Sequence, residues 1–456
     1  MSAASRGDGD ILTNPRFAAL MAGYGDWALY EVRDKKRPKS GVFCCAYYGC
    51  WGSQRTFTPI QKNHPTQAFK KYFKLRVFNS SADPPFFMKI ILYSFIILFA
   101  LIGLAACAVL YQPSMGRLPT GERLKKVHAS PNYRDGAFQN IQPTADLTNG
   151  ATQWSILRDS LSNPNQRTSP AHVLPSVKTD LKQLPKDKNV LIWFGHASYF
   201  MQIDGKTYLI DPVLSGRASP IPFTVTAFKG TDIYTVDDLP EIDYLLITHD
   251  HWDHIDYPVI KKLQPKVKRI ITGLGTGEHF ASWGYDEGII TELDWHQQIQ
   301  LHDGTTLTAL PARHFSGRGF KRNQALWISL ALHTPSTRIY MSGDSGYGEH
   351  FKTIGAQHGP FDLAILENGQ YNKSWEHIHS LPEQTAVTAR EINAAAILPV
   401  HWGKFKLSLH DWDEPIESLI KARQPSDPDL LTPMIGEPVW IGQKQTFRAW
   451  WRDDKP

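Results

Sequence analysis

Between Thr248 and Pro258 the sequence reads THDHWDHIDYP, in which His249, Asp250, His251, Asp253 and His254 stand almost side by side. Imidazole and carboxylate are the side chains that hold divalent cations such as zinc, with bonds of roughly 2.0–2.2 Å. Alternate residues of an extended chain project to one side, so His249 and His251 can reach a single ion. Asp253 and His254 fall beyond the bend and can face a neighbouring one. Asp250 is left without a coordinating role, and Trp252 is expected to pack and fix the loop. A polar surface loop can carry such a run by accident, so the elements that deliver it decide its meaning.

From Asn189 onward, buried-strand runs alternate with helical segments: NVLIWF, SYFMQI, KTYLI, IDYLLIT, VKRIITG, TTLTALPA, ALWISLAL, TRIYMSG, FDLAILE and AAAILPV. Asp204-Gly205 is a tight-turn pair between two of the strands, and 382–394 reads as a helix opened by Pro382. Hairpins followed by strand–helix alternation predict an α/β layered domain of about 240 residues. In open α/β sheets, ligand sites collect beyond the carboxyl ends of strands. IDYLLIT stops at His249, TTLTALPA before His314, TRIYMSG at Asp344 and AAAILPV at His401. Seven candidate ligands result: His249, His251, Asp253, His254, His314, Asp344 and His401. Two ions could share them, Asp344 bridging, as in hydrolases whose two metals lie roughly 3.5–4 Å apart. Such a pair makes water nucleophilic near neutral pH, and Asp253 is placed to orient that water and take its proton. Arg313, Arg318, Lys321 and Arg322 surround His314; Arg318 and Lys321 are candidates to grip a phosphate oxyanion, against the plain alternative of a solvated basic loop.

HxHxDH after a strand, with later His, Asp and His at strand ends, resembles the metallo-β-lactamase superfamily over about residues 189–420. The stretches at 193–220, HDHWDHID, SGDSGYGEHF, GPFDLAILENGQY and PVHWGKF are similar to the branch of N-acylphosphatidylethanolamine-hydrolysing phospholipase D and its bacterial relatives. The resemblance implies a four-layer αββα sandwich, two divalent metal ions expected as Zn2+, and cleavage of a phosphodiester bond in a phospholipid. It also implies a site histidine ahead of a helix that opens with proline and an acid, which HSLPEQTAV supplies as His379, stabilising charge or protonating the leaving group. His196, in GHAS, lies near the site with a backbone-bonded structural role equally open. The superfamily's true β-lactamases put a cysteine where Asp344 stands. No cysteine follows Cys107, which argues against antibiotic hydrolysis. A lactonase or other ester hydrolase, and a non-catalytic metal-stabilised envelope protein, are the alternatives. The segment ENGQYNKSW (367–375) departs from the mammalian enzyme's pattern.

Composition locates the rest. Of the net charge of +5, residues 1–87 carry +7, leaving −2 for the remainder. A near-neutral body argues against nucleic acid as a partner. Ile90–Tyr111 runs 22 residues without a charge, long enough to cross a bilayer as a helix. Residues 88–111 are therefore expected to be a transmembrane anchor or a lipoprotein-type signal, since Leu104-Ala105-Ala106-Cys107 resembles a lipidation box. In front lies a basic extension, 1–87, which would be untranslated if synthesis began at Met88. Residues 112–188, rich in Pro, Asn, Ser and Gln, read as linker and cap with a short helix near Trp154–Leu161, and 189–456 as the metallo-hydrolase domain. The expected location is the membrane of a bacterial cell envelope.

Overall fold

The computed structural model of the protein describes residues 86–162, 167–302 and 304–453, all within the unit Pro84–Pro456. Apart from Phe86 and Phe87, the 1–87 extension lies outside the described residues. Helix α1 (Phe86–Leu110) carries most of the uncharged run, and none of its residues is buried. It is long and apolar enough to cross a membrane.

A 3-10 turn (Pro113–Met115) and helix α2 (Gly121–Ala129) follow, then a hairpin of β1 (Tyr133–Arg134) and β2 (Ala137–Phe138), and helix α3 (Gln153–Ser162). The hairpin and the residues around it are fastened to the body. Arg123 sits 2.9 Å from Glu278 and 2.6 Å from Glu292. Asn140 exchanges hydrogen bonds with the backbone of His314, at 2.8 and 3.1 Å.

The body begins with β3 (Val190–Trp193), β4 (Tyr199–Ile203), β5 (Lys206–Ile210) and β6 (Ile242–Ile247). Helix α4 (Tyr257–Leu263), β7 (Val267–Gly273), α5 (Gly277–Ser282) and β8 (Ile290–Leu293) complete its first half. The second half starts with β9 (Gln298–His302), β10 (Thr305–Leu310), β11 (Ser329–His333) and β12 (Arg338–Met341). Then come α6 (His350–His358), β13 (Phe361–Glu367), α7 (Pro382–Glu391), β14 (Ala394–Val400), α8 (Glu414–Ala422), β15 (Asp429–Leu430) and β16 (Pro438–Trp440).

These strands form two seven-stranded sheets, ordered β16-β3-β4-β5-β6-β7-β8 and β15-β14-β13-β12-β11-β10-β9. Each joins an antiparallel meander to a parallel set, the change falling after β5 in one and after β12 in the other. The period-2 alternation of a strand explains why the runs are apolar throughout. In β3, Leu191 and Trp193 enter the cluster between the sheets, while Val190 and Ile192 enter an outer cluster with α4 and α5. The other sheet's outer face packs Phe351, Ile354, Ala386, Ala389 and Leu419 from α6, α7 and α8, with Ile392 just past the end of α7. The layers are helix, sheet, sheet, helix. Asp204 and Gly205 both take positive φ, 49° and 71°, which is the mirror-image turn that suits the twist of a two-residue hairpin.

Candidate metal centre

Both sheets deliver ligands to one end of the sandwich. The loop after β6 carries His249, His251, Asp253 and His254; the loops after β10, β12 and β14 carry His314, Asp344 and His401. Placing Asp344 requires a tight passage. Gly343 has φ +58° and lies against Thr248, where a Cβ would stand 3.0 Å from the Thr248 Cβ. At Gly346 a Cβ would overlap the carbonyl of His377 at 2.0 Å. Glycine is required at both points.

Two groups of donors result. In the first, His249 Nε2 stands 2.9 Å from His251 Nδ1, which is 3.2 Å from His314 Nε2. The far nitrogen of His314 donates to the Ile378 carbonyl at 2.8 Å, and that of His249 meets Thr248 Oγ1 at 3.0 Å. With its Nδ1 proton spent outward, His314 turns an unprotonated Nε2 inward, the arrangement that outer hydrogen bonds impose on metal-binding histidines. Burial, reinforced by neighbouring imidazoles, pushes all three histidines down from their ordinary range, His251 to about 4. Three neutral imidazoles facing one another cannot satisfy each other's lone pairs; a cation can.

The second group is Asp253, His254 and His401, with His196 behind it. Asp253 Oδ2 lies 2.8 Å from His196 Nε2 and 3.2 Å from His401 Nε2. His254 Nδ1 donates to Asp211 at 2.8 Å, aiming Nε2 inward. Here burial opposes charge but loses. Asp344, Asp253 and Asp211 raise His254, and Asp344, Asp253 and Glu367 raise His401 to about 10. The carboxylates of Asp253 and Asp344 are driven down in turn, against burial, with His254 the leading partner of each. This half of the site calls for positive charge. Asp344 Oδ2 stands between the groups, 3.1 and 3.2 Å from His401 and His254, and 3.8 Å from both His249 and His314. The donor set fits divalent cations on both sides of Asp344.

The two outermost histidines hold an unusual backbone. His196 and His401 both have positive φ, 54° and 68°, and His401 N donates to the His196 carbonyl at 3.0 Å. Left-handed non-glycine residues persist where surrounding bonds over-determine them. His379 lines the cleft above Asp344, its Nδ1 bonded to Glu367 Oε1. Glu367 also lies 3.4 Å from His401 Nδ1 and accepts from Ser345 N at 2.6 Å.

The cleft, of about 280 Å³, runs from His251, Asp253, Asp344, His379 and His401 to apolar walls that include Ile156, Phe315, Trp375, Ile378 and Leu407. Its basic residue is Arg322, which lies over the Phe315 ring and pairs with Asp146 at 2.5 Å. Arg318 requires a correction. It is 5% exposed, and its guanidinium donates to the carbonyls of Ser114, Asp250, His251 and Ile255 while stacking on Trp252. Those bonds make it a brace of the ligand loop, not a grip on substrate. Lys321 is exposed and does not itself line the cleft, although its neighbour Arg322 does. Asp250 is the opposite case: buried, it accepts from His279 Nε2 at 3.2 Å and Gly317 N at 2.6 Å, so it shapes the loop. Sequence reasoning missed Asp211 and Glu367. Both end buried strands, β5 and β13, and the strand-end rule that found His249 and His401 applies to them equally.

A family described as Beta-lactamase superfamily domain matches residues 206–402. An uncharacterised protein of Mycobacterium tuberculosis is 36% identical over 327 residues, covering 71% of this chain and 88% of that one. N-acyl-phosphatidylethanolamine-hydrolyzing phospholipase D 1 of Caenorhabditis elegans is 30% identical over 275 residues, 54% of this chain and 74% of the relative. This chain belongs to the metallo-β-lactamase superfamily. It is a hydrolase of that fold, related to N-acylphosphatidylethanolamine-hydrolysing phospholipases D and to metal-dependent hydrolases. Outer membrane protein RomA of Klebsiella pneumoniae is 58% identical over 106 residues, 23% of this chain and 80% of the relative. Among solved structures, Igni18, a metallo hydrolase of Ignicoccus hospitalis, aligns with a TM-score of 0.45 at 18% identity, over 56% of this chain and all of that one.

Proposed function

We propose that the chain is a membrane-attached phosphodiesterase that uses two zinc ions to cleave N-acylphosphatidylethanolamine-like phospholipids. The observation that carries this reading is the cleft. Metal-binding carboxylate and imidazoles form its floor, and Ile156, Phe315, Trp375, Ile378 and Leu407 give its walls the apolar character that an acyl chain needs. The substrate named for the Caenorhabditis elegans and Saccharomyces cerevisiae relatives supports the choice of lipid. The apolar α1 and the name of the Klebsiella relative support attachment to a membrane.

Divalent cations at such a site acidify water and polarise the oxygen of the scissile group. The chain's own residues do the rest. Asp253, ionised and steadied by His196, orients the attacking water and accepts its proton. His379, with Nδ1 committed to Glu367, presents Nε2 to the cleft, where a protonated ring can pass its proton to the departing oxygen. Arg322, in the cleft wall, is the basic side chain that a bound phosphate would meet. The test is hydrolysis by the zinc-loaded full chain of N-acylated against ordinary phosphatidylethanolamine, in mixed micelles. Preferential cleavage of the N-acylated lipid at its phosphodiester bond is expected. Equal rates, or cleavage of lactones and carboxylic esters alone, would overturn the substrate assignment.

A further inference from the structure

The residues that leave α1 are bolted to the metal-ligand loop by two routes. In the first, Arg318 links the two: Nε and Nη2 donate to the Ser114 carbonyl at 3.1 and 2.8 Å, while Nη1 donates to the Asp250 carbonyl at 3.0 Å. In the second, Arg117 N donates to His279 Nδ1 at 3.1 Å, and His279 Nε2 donates to Asp250 at 3.2 Å. Each route passes through one side chain. These bonds tie the residues that follow α1 to the loop that carries the ligands.

Two loops flank these same residues, and both put large apolar groups in water. Gln112 Nε2 donates to the Pro220 carbonyl at 3.2 Å; close behind it Ile221 is 48% and Phe223 95% exposed. Gly319 packs on Met115, whose Cε would stand 3.2 Å from a Cβ there. Phe320, the next residue, is 89% exposed and is followed by exposed Lys321. The loop bearing Phe320 is also a wall of the cleft, since Phe315 and Arg322 at its two ends line it. Exposed aromatics beside a basic residue, at the exit of an apolar helix, have the chemistry of the layer between water and acyl chains.

We propose that this face, with Ile221, Phe223, Phe320 and Lys321 around the end of α1, seats in the headgroup layer of the bilayer that α1 enters. The cleft rim at Phe315 and Arg322 then meets the lipid surface, and substrate passes into the cleft from the bilayer without crossing water. The proposal rests on reading α1 as an anchor and adds which face of the domain the anchor presents.

The test reconstitutes the full chain in vesicles of phosphatidylethanolamine and phosphatidylglycerol doped with a phosphatidylcholine that carries a photoreactive diazirine near the glycerol end of its acyl chain. Lipid adducts mapped by mass spectrometry are expected on peptides holding Phe223 and Phe320 as well as on α1. Adducts confined to α1, or absent even from α1, overturn the proposal. In a second arm, the Phe223→Ser/Phe320→Ser variant should lose at least about tenfold in hydrolysis of N-acylphosphatidylethanolamine presented in those vesicles. Its turnover of water-soluble bis(p-nitrophenyl) phosphate should stay within about twofold of the unmodified chain, because neither residue touches the cleft floor. Unchanged vesicle hydrolysis overturns the proposal. If the unmodified chain cleaves neither phosphodiester, the proposed chemistry fails, and the adduct map still decides the docking face.

Discussion

The two halves of the metal centre answer burial in opposite ways. The His249, His251 and His314 side is three imidazoles pushed toward neutrality. The Asp253, His254 and His401 side is a carboxylate and two imidazoles pushed toward charge, with Asp344 between the halves. The difference lies in what stands behind each ring. A backbone carbonyl backs His314, whereas Asp211 backs His254 and Glu367 backs His401. One side is ready to accept a cation as it is; the other must first release protons. On the proposed two-ion reading, two halves so unlike should fill in steps.

Removing the shared ligand gives the largest effect. Asp344→Ala should empty both halves and lower turnover by at least about a thousandfold, with metal content read by atomic emission. His251→Ala should lose the cation of its own side while keeping the other, so that measured stoichiometry falls from two to one.

The next effect is on the pH dependence of filling. His401 is raised to about 10 in the folded chain, so at neutral pH it carries a proton that a cation must displace. Below that pKa, affinity at this side should rise with pH, by about tenfold per unit for each proton released. The imidazole side, with His251 at about 4, should bind nearly independently of pH between 6 and 8. Zinc titrations in several buffers, with proton release read by calorimetry, separate the two.

Smaller effects come from residues above the metals. His379→Gln should keep both cations and lower kcat by about a hundredfold, as loss of a proton donor to the leaving oxygen would. Glu367→Gln disturbs His379 and His401 together, and a loss of about tenfold in activity with weaker metal binding on the His401 side is expected.

Much of this centre could be read from strand ends. β6, β12 and β14 stop within three residues of His249, Asp344 and His401, as their apolar runs indicate. The strands that escaped notice are those whose side chains carry little periodic signal. β9, QIQLH, is half exposed, and β16 opens with Pro438 and pairs with β3 across nearly the whole domain. Such an edge strand is specified by its partner more than by itself. Arg318 shows the reverse failure. A basic residue near a phosphate site invites a binding role, yet its donors go to backbone carbonyls that only the fold brings together. The cleft walls, too, draw on Ile156, Phe315 and Trp375, which are far apart in the chain and have no shared pattern.

The stepwise, two-sided centre is tested most directly by anomalous diffraction at the zinc edge on crystals of the zinc-loaded protein. Two peaks roughly 3.5–4 Å apart are expected, one among His249, His251 and His314, the other among Asp253, His254 and His401, with Asp344 reaching both. A single peak, or two peaks that leave Asp344 outside their coordination, would contradict it.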